Sequence, residues 1–592
     1  MAVFAMGWQK PDNVAGSSAP AIMVGLFVAS GGLLFGYDTG AINGILAMDA
    51  FKRDFTTGYV SEDGKLGMSP AQVALIVAML SAGTAVGALL SAPMGDFWGR
   101  RTSLIVAIGI FCIGAILQVC ASRIPLLVVG RTVAGLGVGI VSVLVPLYQS
   151  EMAPRWIRGT LVCAYQLSIT MGLLAAAVVN ILTYKLESAA AYRIPIGLQL
   201  TWAVVLALGL LILPETPRYL IKRGRKDDAA LSLSRLRRLD ITHPALIEEL
   251  AEIEANHQYE MSLGPDTYKD IIFGEPHLGR RTLTGCGLQM LQQLTGVNFI
   301  MYYGTTFFNG AGVQNPHTIS LIMQIINVVS TFPGLFVVES WGRRRLLIVG
   351  AIGMAISQIL IAAFATAMGQ DNQTAQNRIL IAFVAVYIFF FAASWGPVVW
   401  VVTSEIYPLK VRAKSMSVST FSNWLLNFGI AYGTPFMVDT TGVKEDGRVR
   451  TADLGSRVFF VWGTFCLLSI AFVWYMVYET SKMSLEQIDE MYERVNHAWN
   501  SRNFQPSWSF QQMRDLGYSD SGIPPDPQVE LQQQQSNQNH SSSSLSSSSS
   551  RSSTSQSESG GSSAPTGITA PSLPNSQDNK FMSNLGHVDF SY

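Results

Sequence analysis

The chain has 592 residues, 49% of them hydrophobic and only 14% charged, against about 25% charged in an average soluble domain. Forty Lys and Arg balance forty Asp and Glu, so the net charge is zero and no global field favours nucleic acid or another polyanion. The five cysteines sit in apolar runs without a CxxC pair or ligand-like spacing; that excludes a disulfide framework and reads as small buried hydrophobes.

Met1 to Ser18 is weakly apolar, with Lys10 and Pro11 and no compact apolar core, so it does not read as a signal peptide. Twelve segments are long enough to cross a bilayer, which takes about 20 apolar residues. The first six are 20–47, 70–94, 103–122, 125–148, 159–182 and 196–213. The second six are 282–308, 317–338, 346–368, 378–404, 414–438 and 457–478. The expected fold class is an all-α membrane protein of twelve transmembrane helices in two six-helix halves. The expected divisions are a cytoplasmic N-terminus (1–19), the first bundle (20–213), a cytoplasmic helical loop (214–281), the second bundle (282–478), a post-bundle segment (479–519) and a tail (520–592).

The loop carries two helical patterns after plausible caps, Asp227 to Leu239 and Thr242 to Tyr259. A further short helix is expected after Met483-Ser484-Leu485-Glu486-Gln487. From 520 the chain turns to Gln, Ser, Pro and Gly, a composition expected to stay disordered because it cannot bury enough apolar area to fold. Asn372-Gln373-Thr374 is a glycosylation sequon in an expected outer loop, and Asn539-His540-Ser541 one in the tail.

Charged junctions repeat between the halves. Gly95-Asp96-Phe97-Trp98-Gly99-Arg100-Arg101 answers Val338-Glu339-Ser340-Trp341-Gly342-Arg343-Arg344. Glu151 and Arg158 answer Glu405 and Arg412, each pair seven residues apart; Glu215 in Pro214-Glu215-Thr216 answers Glu479 in Tyr478-Glu479-Thr480. Lys and Arg concentrate at these junctions and in the 214–281 loop, which places both termini in the cytoplasm. Anchoring by positive charge explains any one junction. It does not explain the matched carboxylates, which suit a two-state latch at the cytoplasmic ends of the helices. The latch candidates are Asp96, Arg100, Arg101, Glu151, Arg158, Glu215, Arg218, Glu339, Arg343, Arg344, Glu405, Arg412 and Glu479.

Duplicated bundles of this kind hold a substrate site between their halves near mid-membrane. Asp38, in Phe35-Gly36-Tyr37-Asp38-Thr39-Gly40, is an ionisable group at membrane depth, which is expensive and a mark of function. Arg131 in the fourth span is its natural partner. Gln292, Gln293 and Asn298 form a polar patch in one span; Gln166, Asn327, Asn423 and Asn427 place amides in others, and Trp400 and Trp424 are the aromatic candidates. Isolated intramembrane amides also bond helix to helix. Gly31-Gly32, Gly83, Gly87, Gly135, Gly137 and Gly139 lie inside spans and fit close helix packing, not a nucleotide loop. Gly396-Pro397 interrupts the tenth span and marks a kink. No catalytic triad, metal-ligand cluster or Walker sequence occurs in the chain, so neither an enzyme nor a cofactor is expected.

The motifs resemble the sugar porter family of the major facilitator superfamily over 20–495. The resemblance rests on Gly99-Arg100-Arg101 with Gly342-Arg343-Arg344, Pro214-Glu215-Thr216-Pro217-Arg218-Tyr219-Leu220, Gln292-Gln293-Leu294-Thr295-Gly296-Val297-Asn298, and Tyr478-Glu479-Thr480-Ser481-Lys482. Two departures stand in the latch region: Phe97, where the family has a basic residue, and Tyr478, where it has Pro. The resemblance implies a monosaccharide substrate contacted by residues matching Gln166, Gln292, Gln293, Asn298, Asn327 and Trp400, with Asn423, Trp424 and Asn427 as further candidates. A pyranose offers hydroxyls that both donate and accept, which a carboxamide matches on one group, and an apolar face that an aromatic ring covers. The resemblance also implies that Asp38 and Arg131 couple a proton in symporters, while a static pair in a facilitator stays open. Partners are then a monosaccharide, a proton in the symport case, the bilayer, and cytoplasmic regulators of the tail. Some fungal relatives look like sugar sensors, so a glucose sensor signalling through 520–592 stands as the alternative to a plasma-membrane glucose transporter.

Overall fold

The computed structural model describes residues 16–58, 67–153, 157–262, 267–274, 277–310, 315–368, 373–438, 454–481, 483 and 485–504. The tail from 520 and both sequon asparagines, Asn372 and Asn539, lie outside the described residues.

The first span is two helices, α1 (Ala19–Ala29) and α2 (Gly31–Ile45), with Ser30 between them donating its hydroxyl to the Phe27 carbonyl at 2.6 Å. A short α3 (Asp49–Phe55) follows. The second span, α4 (Pro70–Trp98), starts with a capping box: Ser69 Oγ accepts from the Gln72 amide at 3.4 Å, and Gln72 Oε1 accepts from the Ser69 amide at 3.0 Å. These bonds satisfy two of the amides that a helix start leaves unpaired. The half is completed by α5 (Arg100–Val119), α6 (Ile124–Met152), α7 (Arg158–Thr183) and α8 (Ala190–Ile212).

The connecting segment is helical, as its periodicity predicts: α9 (Pro217–Lys222), α10 (Lys226–Arg237), α11 (Pro244–Ser262) and α12 (Asp270–Phe273). Arg237 Nη2 ties α10 to Glu249 on α11 at 2.7 Å, and Ser232 Oγ ties α10 to the Glu215 carbonyl at 2.7 Å. The second half runs α13 (Leu278–Leu294), α14 (Val297–Gly310), α15 (Pro316–Trp341), α16 (Arg343–Ala367) and α17 (Gln373–Phe390). It closes with α18 (Gly396–Glu405), α19 (Arg412–Val438) and α20 (Val458–Met476). The post-bundle helix α21 (Leu485–Arg494) docks under α13, where the fully buried Arg281 pairs with Asp489 and lies 4.3 Å from the Tyr492 ring centroid. Tyr478 completes this contact against Tyr492, with ring centroids 4.4 Å apart.

Ten helical stretches among the described residues have the length and apolar character of a membrane span. The other two expected spans are helical and differ for a physical reason. One is broken between α13 and α14 at Gly296 (φ 84°), where a Cβ would stand 2.6 Å from the Trp462 ring. The other, α19, is 27 residues long but buries Ser415, Ser417, Ser419, Thr420, Asn423 and Asn427. Polar groups of that density belong on a helix facing protein, not lipid.

The glycines of the spans pack backbone against backbone. A Cβ at Gly83 or Gly87 of α4 would collide with the Thr132 or Leu136 carbonyl of α6, and one at Gly135 or Gly139 of α6 with Leu80 or Thr84 of α4. Of the cysteines, Cys163 and Cys466 are buried and Cys112 and Cys286 half-buried. Cys120 corrects the expectation of burial: it caps the end of α5 and is exposed. Replacing Gly87 with Leu should lower the unfolding midpoint of the purified protein, by the ~1–3 kcal/mol typical of overpacking or more. An unchanged midpoint would rule out the close α4–α6 approach.

Candidate functional site

Between the two halves lies a cavity. The first half lines it with Phe35, Gly36 and Thr39 of α2 and with Gln166, Ile169 and Leu173 of α7. The second half lines it with Gln292 and Gln293 of α13, Val297, Asn298 and Met301 of α14, and Asn327 of α15, together with Phe391, Trp400, Asn423 and Trp424. Eight of the nine residues singled out as binding candidates therefore meet around one space. The ninth, Asn427, stands behind this wall, where its Oδ1 accepts from Ser81 Oγ at 2.8 Å and from Tyr302 Oη at 3.2 Å.

The polar wall lies against an irregular stretch of the tenth span. Residues Phe391–Trp395 form one π-helical turn that runs into Gly396-Pro397. Proline has no amide hydrogen, so the ladder is one donor short in the turn before it. Gln292 Nε2 donates to two carbonyls at the start of the helix that follows, Trp395 O at 2.9 Å and Gly396 O at 3.2 Å. Its Oε1 accepts from Asn423 Nδ2 at 3.0 Å, which also reaches Gln289 Oε1 at 2.7 Å. Gln293 Nε2 donates to Asn423 Oδ1 at 2.9 Å, and Asn298 donates to Gln293. The carboxamides thus satisfy one another. Three polar groups of the lining remain open among the described residues: Asn327 Oδ1 and Thr39 Oγ1 are buried without a partner, and the Gln166 side chain lines the cavity and has no hydrogen bond. Trp424 is held edge-on by Phe35 at 4.8 Å and donates across the halves to Ser142 Oγ at 3.2 Å.

Asp38 is on α2 with Phe35 and Thr39 but does not line the cavity. It faces α6, where Arg131 Nη2 approaches its Oδ2 at 3.3 Å, both side chains being at most 3% exposed. The pair is therefore one side chain removed from the cavity wall. Arg131 Nε has no partner among the described residues.

The repeated junctions have one geometry in both halves. Gly99 (φ 91°) and Gly342 (φ 87°) take a left-handed turn open to glycine, and each is followed by a helix whose first residue is the first Arg. Arg100 reaches Asp96 at 3.3 Å and Glu151 at 3.0 Å; Arg343 reaches Glu339 and Glu405, each at 2.9 Å. Glu215 then accepts from the Arg100 amide at 3.1 Å and the Arg101 amide at 3.1 Å, and Glu479 from the Arg343 amide at 2.9 Å and the Arg344 amide at 3.1 Å. A carboxylate at a helix N-terminus satisfies orphan amides and opposes the helix dipole. Each of these ion pairs stays inside one half. The second arginines bond main-chain carbonyls, Arg101 Nε to Leu210 O at 2.8 Å and Arg344 Nη2 to Trp474 O at 3.0 Å. Arg412 bonds the Tyr407 carbonyl at 3.1 Å. Arg158 sits half-buried at the start of α7. Arg223 lies 5.8 Å over the Phe97 ring, so a guanidinium covers this departure from the family pattern.

The halves also touch each other at both ends of the cavity. At the junction end, Ser417 Oγ donates to the Ala88 carbonyl at 2.7 Å, and Gly159 leaves no space for a Cβ against Glu339 and Arg343. At the opposite end, the Thr305 amide donates to Asn43 Oδ1 at 3.0 Å and Tyr184 stacks on His317 at 4.6 Å. The sequence reading did not single out Phe35, Thr39, Met301, Phe391 or Gln289 as binding candidates. Gln289 stands four residues before Gln293, on one helix face, and that spacing was the available signal; the apolar three, Phe35, Met301 and Phe391, carried none, because every span is apolar.

The family model described as "Sugar (and other) transporter" matches residues 24–492. A probable glucose transporter of Neurospora crassa (rco-3) is 79% identical over 532 residues, covering 90% of this chain and 89% of that one. The high glucose sensor RGT2 of Saccharomyces cerevisiae is 40% identical over 82% of this chain and 63% of its own. Among solved structures, the proton:xylose symporter XylE of E. coli, bound to 6-bromo-6-deoxy-D-glucose, aligns with a TM-score of 0.68 at 26% identity, covering 81% of this chain and 100% of that one.

Burial raises the Glu215 carboxyl above the ordinary glutamate range, against the Thr216 and Arg101 amides that pull it down. A raised folded-state value stabilises the protein at low pH, and that contribution is lost as pH rises through it. Relative to Glu215→Gln, wild type should therefore lose stability as pH climbs above the ordinary value of about 4.3. Paired melting curves across that range check the sign; parallel curves would remove the assignment.

Proposed function

The chain belongs to the sugar transporter family, and on that premise we propose that it carries a hexose, with glucose as the substrate, across the plasma membrane by alternating access of its two halves. The observation that carries this reading is the cavity between them, lined by carboxamides from both sides and by two indoles. A sugar entering it exchanges amide–amide hydrogen bonds for amide–hydroxyl ones. Asn327 Oδ1 and the Gln166 amide, which no described residue satisfies, offer the first bonds with nothing to displace.

Because the other bonds are exchanges, each contributes only about 1 kcal/mol net. About five of them correspond to a roughly millimolar dissociation constant. Weak binding suits a carrier, which must release its cargo on the far side. Specificity comes from the reverse case, since a sugar lacking one hydroxyl leaves a buried amide unpaired.

In this reading both termini and the 214–281 segment are cytoplasmic, and the ion pairs of the two junctions hold each half rigid while the halves rock. Asp38 and Arg131 are the coupling pair. A proton on Asp38 weakens its hold on Arg131, and α2 then moves relative to α6. Because Thr39 and Phe35 of α2 belong to the cavity wall, protonation and sugar occupancy act on the same helix. The work is binding and movement, with no covalent chemistry, so the protein is not an enzyme.

Identity with a glucose sensor supports a second reading, in which the same cavity reports glucose to partners of the tail. Expression in a cell lacking hexose carriers decides between them: saturable glucose uptake is expected, and its absence with normal surface expression would favour the sensor.

Asn298→Ala and Gln292→Ala should each raise the half-saturation concentration for glucose about fivefold to a hundredfold, the effect of about 1–3 kcal/mol for an unsatisfied buried partner. Unchanged saturation in both variants would remove the cavity as the sugar site. Asp38→Asn should abolish pH-driven accumulation while sparing glucose exchange in proteoliposomes. Uphill accumulation persisting in that variant would show that Asp38 does not carry the proton.

A further inference from the structure

A second cavity lies at the junction end of the bundle, and neither the sugar site nor the helix caps account for it. Its wall draws on three parts of the chain: the first half, the connecting helices α9 and α11, and the start of α19 in the second half. Six cationic side chains line it, Arg100, Arg218, Lys222, Lys410, Arg412 and Lys414, with His257 beside them. The lining contains two carboxylates, Asp96 and Glu151. Both are already engaged, Asp96 by Arg100 at 3.3 Å and Lys222 at 3.1 Å, and Glu151 by Arg100 at 3.0 Å. Beside the lining, the charge of Asp270 acts on Lys410 and Lys414, and the Lys414 ammonium lies 5.6 Å from the Tyr268 ring centroid, so the surplus is what remains over three carboxylates. Arg218 is half-buried and makes no ion pair or hydrogen bond among the described residues.

A concave wall with surplus positive charge focuses field and concentrates anions. Its chemistry favours one class of anion. A guanidinium offers a planar fork that matches two phosphate oxygens, and ammonium groups add point charges from other directions. A phosphate monoester, carrying close to two charges near neutral pH, neutralises more of the surplus than a carboxylate does.

We propose that this cavity is a binding site for a phosphate monoester, held by Arg218 from the connecting segment and by Lys410 and Lys414 from the second half. An occupant bridges the connecting segment and the second half, so it holds this end of the bundle together and slows the step that opens it. That consequence for rate rests on the transport reading; the binding itself does not.

Two sources share the chemistry: a soluble metabolite such as glucose 6-phosphate, and the headgroup of a phosphatidic acid. The full chain is reconstituted in phosphatidylcholine nanodiscs and titrated with inorganic phosphate and with glucose 6-phosphate. A parallel preparation carries phosphatidic acid and receives no soluble anion. Thermal unfolding and glucose binding are measured on each. A saturable rise in the midpoint with the soluble esters assigns a metabolite; a rise with phosphatidic acid alone assigns a lipid headgroup; either supports the site. In Arg218→Gln/Lys414→Gln the response should weaken about tenfold or more, while Arg218→Lys/Lys414→Arg, which keeps the charge, retains most of it. No response to any of the three, or an equal response in the neutral variant, overturns the proposal. Glucose binding in the same preparations reports on the sugar reading separately, so either can fail alone.

Discussion

A polar group buried in a membrane protein has no water to turn to, and must be satisfied by other protein groups or by a ligand. The central cavity is organised by that requirement. The tenth span is irregular at the π-helical turn Phe391–Trp395 and at Pro397. Gln292 takes the carbonyls of Trp395 and Gly396, Asn423 takes Gln292, Gln293 takes Asn423, and Asn298 takes Gln293. From that irregular stretch a row of amides runs across α13, α14 and α19. In the proposed reading these are the amides on which a polyhydroxylated solute is exchanged.

The junctions apply the requirement to helix ends. A glycine with positive φ turns the chain, and the next helix starts with amides that a distant glutamate accepts, Glu215 in one half and Glu479 in the other. The arginine side chains then neutralise the acidic neighbours on α4 and α6 or on α15 and α18. Every bond in these clusters lies within its own half. The bonds between halves are different in kind: single hydroxyl or amide contacts, an aromatic stack and close van der Waals packing. The junction ion pairs thus lie inside each half, while the halves meet through extensive helix packing, α4 against α19 and α7 against α15, and through single hydrogen bonds.

Much of this was legible in the residues. Apolar segments of spanning length appear as helices within a few residues of the expected limits, because a run of that length in a bilayer has helix as its only self-satisfied form. The junction repeats were legible because charge is rare in this chain and its recurrence stands out. The amides were legible for the same reason. Where the reading fell short, the missing term was a neighbour. The breaks at Ser30 and Gly296 interrupt runs that pattern alone continues, and Gly296 is decided by the Trp462 ring. Cys120 sits in an apolar run yet is exposed, because it falls at a helix end. Phe97 and Tyr478 depart from the family pattern, and only the fold brings Arg223 over the first and Tyr492 against the second.

By itself the sequence determined the class, the number of spanning segments, the two-fold plan and the short roster of polar residues that a membrane interior makes conspicuous. Tertiary structure alone decided how that roster divides: which amides share the cavity, that Asn427 stands behind its wall, and that Asp38 turns from the cavity to Arg131. The reason is physical. Hydropathy and charge are properties of a residue and can be read one position at a time. A hydrogen-bond partner is a property of two residues, and here most partners lie far apart in the chain, 93 positions for Asp38 and Arg131 and 130 for Gln293 and Asn423, on helices whose rotation about their axes no local pattern specifies.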